Sequence, residues 1–80
     1  MVALVGYVVR TTDAAVAFVA ESDAGIAGIK PLWIPRKKIA AAKESDAMGR
    51  KIQTAQDGER IGILTYLDVD SAFIQKVKGA

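Results

Sequence analysis

The sequence contains no cysteine and no histidine, and only five of its 80 residues are aromatic. Without cysteine the fold has no disulfide, and without either residue it has no soft-metal site of the kind that binds zinc. A histidine acid–base group and a thiol nucleophile are also excluded. We therefore expect a protein that is not an enzyme, uses no cofactor or metal, and has a core of aliphatic side chains.

Long hydrophobic runs are also lacking. The longest one, residues 2–9, is interrupted by Gly6 and ends at Arg10. It lacks a charged leading region and a small-residue cleavage site, so it does not resemble a signal peptide, and it is far too short to span a membrane. The sequence predicts a cytoplasmic protein with no membrane partner.

Apolar residues are abundant for so short a chain, at 51% of the composition. This length fits one domain, residues 1–80, and supplies enough valine, isoleucine, leucine and alanine for a core. Small monomers rarely expose large apolar patches. The excess therefore predicts a homo-oligomer, most simply a dimer, that covers part of this surface.

Positive charge is concentrated in the middle of the chain. Residues 30–51 contain seven lysines and arginines against two acidic residues, although the whole chain has a net charge of only +2. Uneven charge of this kind indicates an anionic partner and says nothing about the fold.

The first half of the chain has the pattern of a β-hairpin. Residues 2–10 and 15–21 are rich in valine and alanine, and a polar break of four residues separates them. Both faces of the first run are apolar, which predicts burial on both sides, inside a barrel-like sheet or under an oligomer contact. Gly6 interrupts the first run and predicts a bend or a bulge there. Leu32, Trp33 and Ile34 form a short extended segment between two prolines, which places that strand at a sheet edge.

The second half is less regular. Residues 35–48 begin with proline and contain three alanines, so we expect a helical turn over residues 35–39, while its further extent is left open. Asp57-Gly58 separates two strand-like runs, residues 50–56 and 59–67, and this dipeptide predicts a second hairpin.

A helix is predicted at the C-terminal end. Asp68 and Asp70 are candidate N-caps, Phe73 and Val77 are spaced to pack on the sheet, and Gly79 suits the helix end. Two nearby carboxylates could also serve a metal or acid–base chemistry, but capping explains both fully. The predicted fold is α+β: a small bent antiparallel sheet or barrel, SH3-like or OB-like, of about five strands with one C-terminal helix.

One segment is a candidate site. Nucleic-acid sites combine cations that bind phosphates with aromatic rings that stack on bases. The predicted nucleic-acid-binding residues are Trp33, Arg36, Lys37, Lys38, Arg50 and Lys51. In the competing interpretation Trp33 belongs to the core and the lysines are merely solvated. The chain would then be a protein-interaction or assembly module that uses an edge strand and its apolar surface.

The same segment resembles a group of small uncharacterised phage and bacterial proteins. These carry a Trp-aliphatic-Pro-basic-Ser-Gln-aliphatic stretch after two strands, and here Trp33, Pro35, Arg36 and Ile39 match it. Lys37-Lys38 replaces Ser-Gln, and Thr65-Tyr66-Leu67 replaces the Pro-Glu-Trp that commonly leads into their helix. The resemblance implies a small β-rich fold of mobile-element origin and transfers no functional residue.

Overall fold

The computed structural model describes residues 1–45 and 52–79, which form five strands, three 3₁₀ turns and one α-helix. In chain order the elements are β1 (Val2–Thr11), β2 (Ala15–Ala20), a 3₁₀ turn (Glu21–Asp23), β3 (Leu32–Pro35), a 3₁₀ turn (Arg36–Lys38), β4 (Ile39–Glu44), a 3₁₀ turn (Ile52–Thr54), β5 (Leu64–Val69) and α1 (Ser71–Lys78).

The strands form one open antiparallel sheet in the order β3-β2-β1-β5-β4. The two edge strands, β3 and β4, are consecutive in the chain and only the three residues of the second 3₁₀ turn separate them. So short a link requires the sheet to curl until its edges approach each other at that end. The small α+β fold, the first hairpin and the edge position of β3 are confirmed.

Gly6 is required by close backbone contact. A β-carbon at this position would lie 2.1 Å from the carbonyl oxygen of Val19 and 2.8 Å from Cζ of Phe18. Gly6 forms the end pair of the β1–β2 ladder, with Ala20, and the register shifts between Val8 and Arg10. A bulge in β1 is therefore present, but three residues beyond the glycine that was expected to mark it.

β4 was not anticipated from the sequence. The helical turn is confirmed at Arg36–Lys38, but residues 39–44 continue as a strand paired with β5. Ala40, Ala41 and Ala42 favour a helix on propensity, yet a hydrogen-bonding partner on the sheet edge outweighs that preference. The part of the prediction that covers residues 46–48 lies outside the described residues.

The predicted second hairpin is wrong. Asp57-Gly58 is a turn, and Gly58 has a φ of +77°, but a 3₁₀ turn at Ile52–Thr54 precedes it and irregular backbone follows it. The turn is fastened to β1, because the Gly58 N–H donates to the Thr11 carbonyl and the buried Thr11 hydroxyl donates to the Gln56 carbonyl. Residues 50 and 51 lie outside the described residues.

The C-terminal helix is capped as predicted. Oδ1 of Asp70 accepts a hydrogen bond of 2.8 Å from the Ala72 N–H, which satisfies one free donor of the first turn. Ile74 is its buried residue and Phe73 packs against the core, but Val77 is exposed and the prediction that it packs on the sheet is wrong. Within the described residues, no helix has the length and apolar character needed to cross a bilayer.

Candidate nucleic-acid interface

Trp33 lies on the face of the sheet that points away from the hydrophobic core. Its neighbour on β3, Ile34, is fully buried in the core, and alternation along the strand turns Trp33 to the other side. There it stands beside Ala17 of β2, and 43% of its surface remains exposed. The interpretation of Trp33 as a core residue is therefore wrong, and its ring is accessible to a ligand.

A groove of about 620 Å³ opens beside the Trp33 ring. Its lining combines this ring with apolar residues and two arginines, namely Val9, Arg10, Ala17, Pro31, Trp33, Arg60 and Gly62. The bulge in β1 explains part of this arrangement. Because Val9 is the extra residue opposite Ala17, both Val9 and Arg10 line the same face, and Arg10 comes into register with Ala17 and thus with Trp33.

The two groove arginines are available to a ligand. Both residues are exposed, and no hydrogen bond or ion pair joins either guanidinium to another residue within ranges 1–45 and 52–79. A guanidinium presents five N–H donors in a planar fork that matches phosphate oxygens. Arg10 and Arg60 therefore place two guanidinium groups, whose geometry suits phosphate oxygens, in the groove of the exposed aromatic ring.

Arg36 has a different role from the one predicted. Its half-buried guanidinium donates to three backbone carbonyls: Nε to Thr12 at 2.8 Å, Nη1 to Ile52 at 2.6 Å and Nη2 to Ala55 at 3.3 Å. Its own N–H also donates to the Ala14 carbonyl at 2.9 Å. Arg36 thus ties the 3₁₀ turn at Ile52–Thr54 to the β1–β2 hairpin, and this geometry gives no support to its predicted contact with a phosphate.

Lys37 and Lys38 do not share the groove with Trp33. They line a different, shallow hollow together with Met1, Ala40, Asp70 and Ser71. Nζ of Lys38 lies 3.7 Å from Oδ2 of Asp70, in a half-exposed ion pair. The hollow and the groove have no lining residue in common, so the basic run and the tryptophan, adjacent in sequence, face different parts of the surface.

Of the four predicted site residues that the structure describes, only Trp33 lines the groove. Arg50 and Lys51 lie outside the described residues. The groove arginines were missed because Arg10 and Arg60 are far from Trp33 in the chain. A signal existed for Arg10, since the four-residue break of the predicted hairpin, residues 11–14, pairs residue 10 with residue 15, which lies on the same strand face as residue 17. The sequence offers no such signal for Arg60.

No family model, no curated protein and no solved structure matches this chain. The resemblance to small phage and bacterial proteins stays a prediction.

Proposed function

We propose that this chain is a non-enzymatic domain that binds nucleic acid with little sequence preference in the groove beside Trp33. The observation that carries the proposal is the exposure of Trp33, at 43%, in a groove that also holds Arg10 and Arg60. An accessible ring flanked by cations is the arrangement with which proteins bind single strands without reading their sequence.

The chemistry of the groove supports sequence tolerance in particular. The two guanidinium groups would neutralise backbone phosphates, which are the same in every sequence. The Trp33 ring would stack on a base, and every base has a face that stacks. Val9, Ala17 and Pro31 are apolar and offer no side-chain donor or acceptor to the edge of a base.

A titration of fluorescein-labelled oligothymidylate with the chain at low salt tests this proposal. We expect saturable anisotropy and quenching of the fluorescence of Trp33, which is the only tryptophan. Trp33→Leu should weaken binding, because leucine covers the sheet but does not stack as a planar ring does. Stacking contributes roughly 1–3 kcal/mol per base, so the loss should be about 5- to 150-fold in affinity.

Val77→Ala is the matched control for this loss. Val77 is also 43% exposed, but it lies on α1 and away from the groove. This variant should bind as the wild type does. Absence of binding by the wild type at tens of micromolar protein and low salt would refute the proposed function.

Self-association is a second candidate function, and the exposed apolar side chains favour it. Val5 is 42% exposed, Ile26 53% and Ile29 40%, and Ile29 lines a second hollow next to the groove. A dimer that covers these residues would act as an assembly module. Sedimentation at micromolar concentration should show a species heavier than 8.5 kDa if this candidate is right, and only the 8.5 kDa monomer if it is wrong.

The finer fold assignment, a small bent barrel of the SH3-like or OB-like kind, is also a proposal. Its support is the three-residue 3₁₀ link at Arg36–Lys38, which draws the two edge strands of the open sheet together.

The proposed cellular location is the cytoplasm, where the proposed ligand, nucleic acid, is present.

A further inference from the structure

The five aromatic residues divide between the two faces of the sheet according to their chemistry. Phe18 is buried in the core and Phe73 packs against it. The three aromatic residues that carry a polar atom, Tyr7, Trp33 and Tyr66, lie on the opposite face. Trp33 is 43% exposed and Tyr66 40%, while Tyr7 is half-buried and lines the second hollow.

The strand registers place these three rings on a diagonal across the sheet. Trp33 on β3 pairs with Ala17, Tyr7 on β1 pairs with Val19, and Ala17 and Val19 are two residues apart on β2. With ordinary sheet spacings, the Cα atoms of Trp33 and Tyr7 are about 12 Å apart. Tyr66 on β5 pairs with Val5, two residues before Tyr7, which makes the next step about 8 Å.

Two neighbouring depressions follow the first part of this diagonal. The groove beside Trp33 and the second hollow, of about 370 Å³, share the lining residues Val9 and Gly62. Ala17 and Val19 are buried, and each lines one of the two depressions. The two depressions therefore adjoin each other on the face that carries Trp33 and Tyr7.

Cations lie beside both ends of the diagonal. Arg10 and Arg60 line the groove at the Trp33 end. At the other end Lys43 of β4 is exposed and pairs directly with Tyr66. A polyanion that crosses the sheet along the rings would meet positive charge where it enters and where it leaves.

We propose that the ligand is a single strand of nucleic acid that crosses the sheet from β3 to β5 and stacks bases on Trp33, Tyr7 and Tyr66. This inference rests on the proposed function and specifies its ligand and footprint. Bases in a duplex are paired and stacked 3.4 Å apart, so they cannot present open faces to rings spaced about 8–12 Å apart. An unpaired strand can splay its bases onto aromatic side chains, as other sheet-based RNA-binding domains do.

Tyr66→Leu tests the inference, because Tyr66 is outside the Trp33 groove and Trp33 remains as a fluorescent reporter. We expect this variant to bind oligothymidylate about 5- to 150-fold more weakly, the range for loss of one stacked base. Tyr66→Phe retains a ring and should restore most of the affinity. The thermal midpoints of the variants should match that of Val77→Ala, which serves as the control for removal of an exposed side chain.

The length of the oligonucleotide provides a second readout. The diagonal is about 20 Å long. A strand with splayed bases is more extended than the 3.4 Å per nucleotide of a stacked strand, so it covers this distance in at most about six nucleotides. Affinity should therefore increase up to about that length and then level off. A duplex of about twelve base pairs should bind more weakly than a single strand of equal length.

The outcomes separate this inference from the proposed function. If the wild type binds no oligonucleotide, both fail. If it binds and quenches Trp33, but Tyr66→Leu binds as tightly and affinity levels off at one or two nucleotides, the groove alone is the site and the diagonal path is wrong. Equal affinity for duplex and single strand would also overturn the inference.

Discussion

The two faces of the sheet are both apolar, yet they are built for different purposes. On the core face Val8, Val16 and Ile34 are fully buried and pack with one another. On the outer face small buried residues, Ala17 and Val19, lie beneath larger side chains that stay in contact with solvent. The core face packs against Phe73 and Ile74 of α1, whereas the outer face borders the groove beside Trp33 and the second hollow.

The comparison shows that the apolar pattern alone does not identify the core of so small a domain. Aliphatic residues occur on both faces, but both phenylalanines belong to the core, whereas the tryptophan, both tyrosines and Arg10 lie on the outer face. Tyrosine and tryptophan have an apolar body and a polar atom, so they suit a surface that is partly dry and partly wet. This composition of the outer face supports the proposed binding function.

Gly6→Ala should be the most damaging change to this architecture. Gly6 lies in the middle of β1, which pairs with strands on both sides. The new β-carbon would lie 2.1 Å from the carbonyl oxygen of Val19 in β2. Because the backbone cannot move away as a flexible side chain can, the loss in unfolding free energy should exceed the ~3 kcal/mol typical of overpacking. We expect a largely unfolded chain by circular dichroism.

Gly25→Ala is the control for Gly6→Ala. At Gly25, unlike at Gly6, nothing lies within 4 Å of the position that a new β-carbon would occupy. Its cost should be limited to the strain of a φ of +93°, about 1–2 kcal/mol. Equal stability of the two variants would contradict the close-contact explanation for Gly6.

Ile34→Ala and Trp33→Ala compare the two faces at adjacent positions of one strand. Ile34 is fully buried, so its truncation leaves a cavity and should cost about 2–5 kcal/mol. Trp33 is larger but lies at the surface, where water fills the space that it leaves, so about 1–2 kcal/mol is expected from the lost apolar burial. Chemical denaturation measures both values, and a larger loss for Trp33→Ala would show that the outer face is part of the core.

Arg36→Lys separates a structural arginine from the groove arginines. Lysine keeps the charge but lacks the planar fork that reaches three carbonyls, so we expect a loss of about 1.5–3 kcal/mol in unfolding free energy. Arg10→Lys, at an exposed position, should change stability by less than about 0.5 kcal/mol. Similar stability of Arg36→Lys and the wild type would mean that the three hydrogen bonds contribute little.

Local sequence patterns predicted the elements whose formation depends mainly on residues close together in the chain. The four-residue break defined the β1–β2 hairpin, two prolines placed β3 at an edge, and Asp70 marked the helix start. They failed where tertiary pairing decides, as at β4, where alanines without alternation join a sheet because β5 offers free hydrogen-bonding groups. They also failed at Gly58, where a turn residue serves a loop that is fastened to Thr11.

The candidate site follows the same division. The presence of an aromatic residue next to positive charge singled out Trp33, but proximity in sequence grouped it with Lys37 and Lys38, which line a separate hollow. A residue on a strand and residues on the following 3₁₀ turn point in different directions, whereas residues on neighbouring strands come into register. The bulge between Val8 and Arg10, invisible in the sequence, adds Val9 to the face that carries Arg10 and Trp33.

The smallest expected effect belongs to the lysines that the sequence favoured. Lys37→Ala combined with Lys38→Ala should change stability by only about 0.2–1 kcal/mol, since the Lys38–Asp70 pair is half-exposed. Because their hollow is separate from the groove, the salt dependence of oligonucleotide binding should also stay unchanged.

Arg10→Ala and Arg60→Ala should each reduce the log–log slope of affinity against salt by roughly 0.7, the value for one phosphate contact on a single strand. Titrations at several salt concentrations measure these slopes. A flattened slope in the lysine variant, with no change in the arginine variants, would return the phosphate contacts to the segment that the sequence indicated and leave Trp33 without cationic partners.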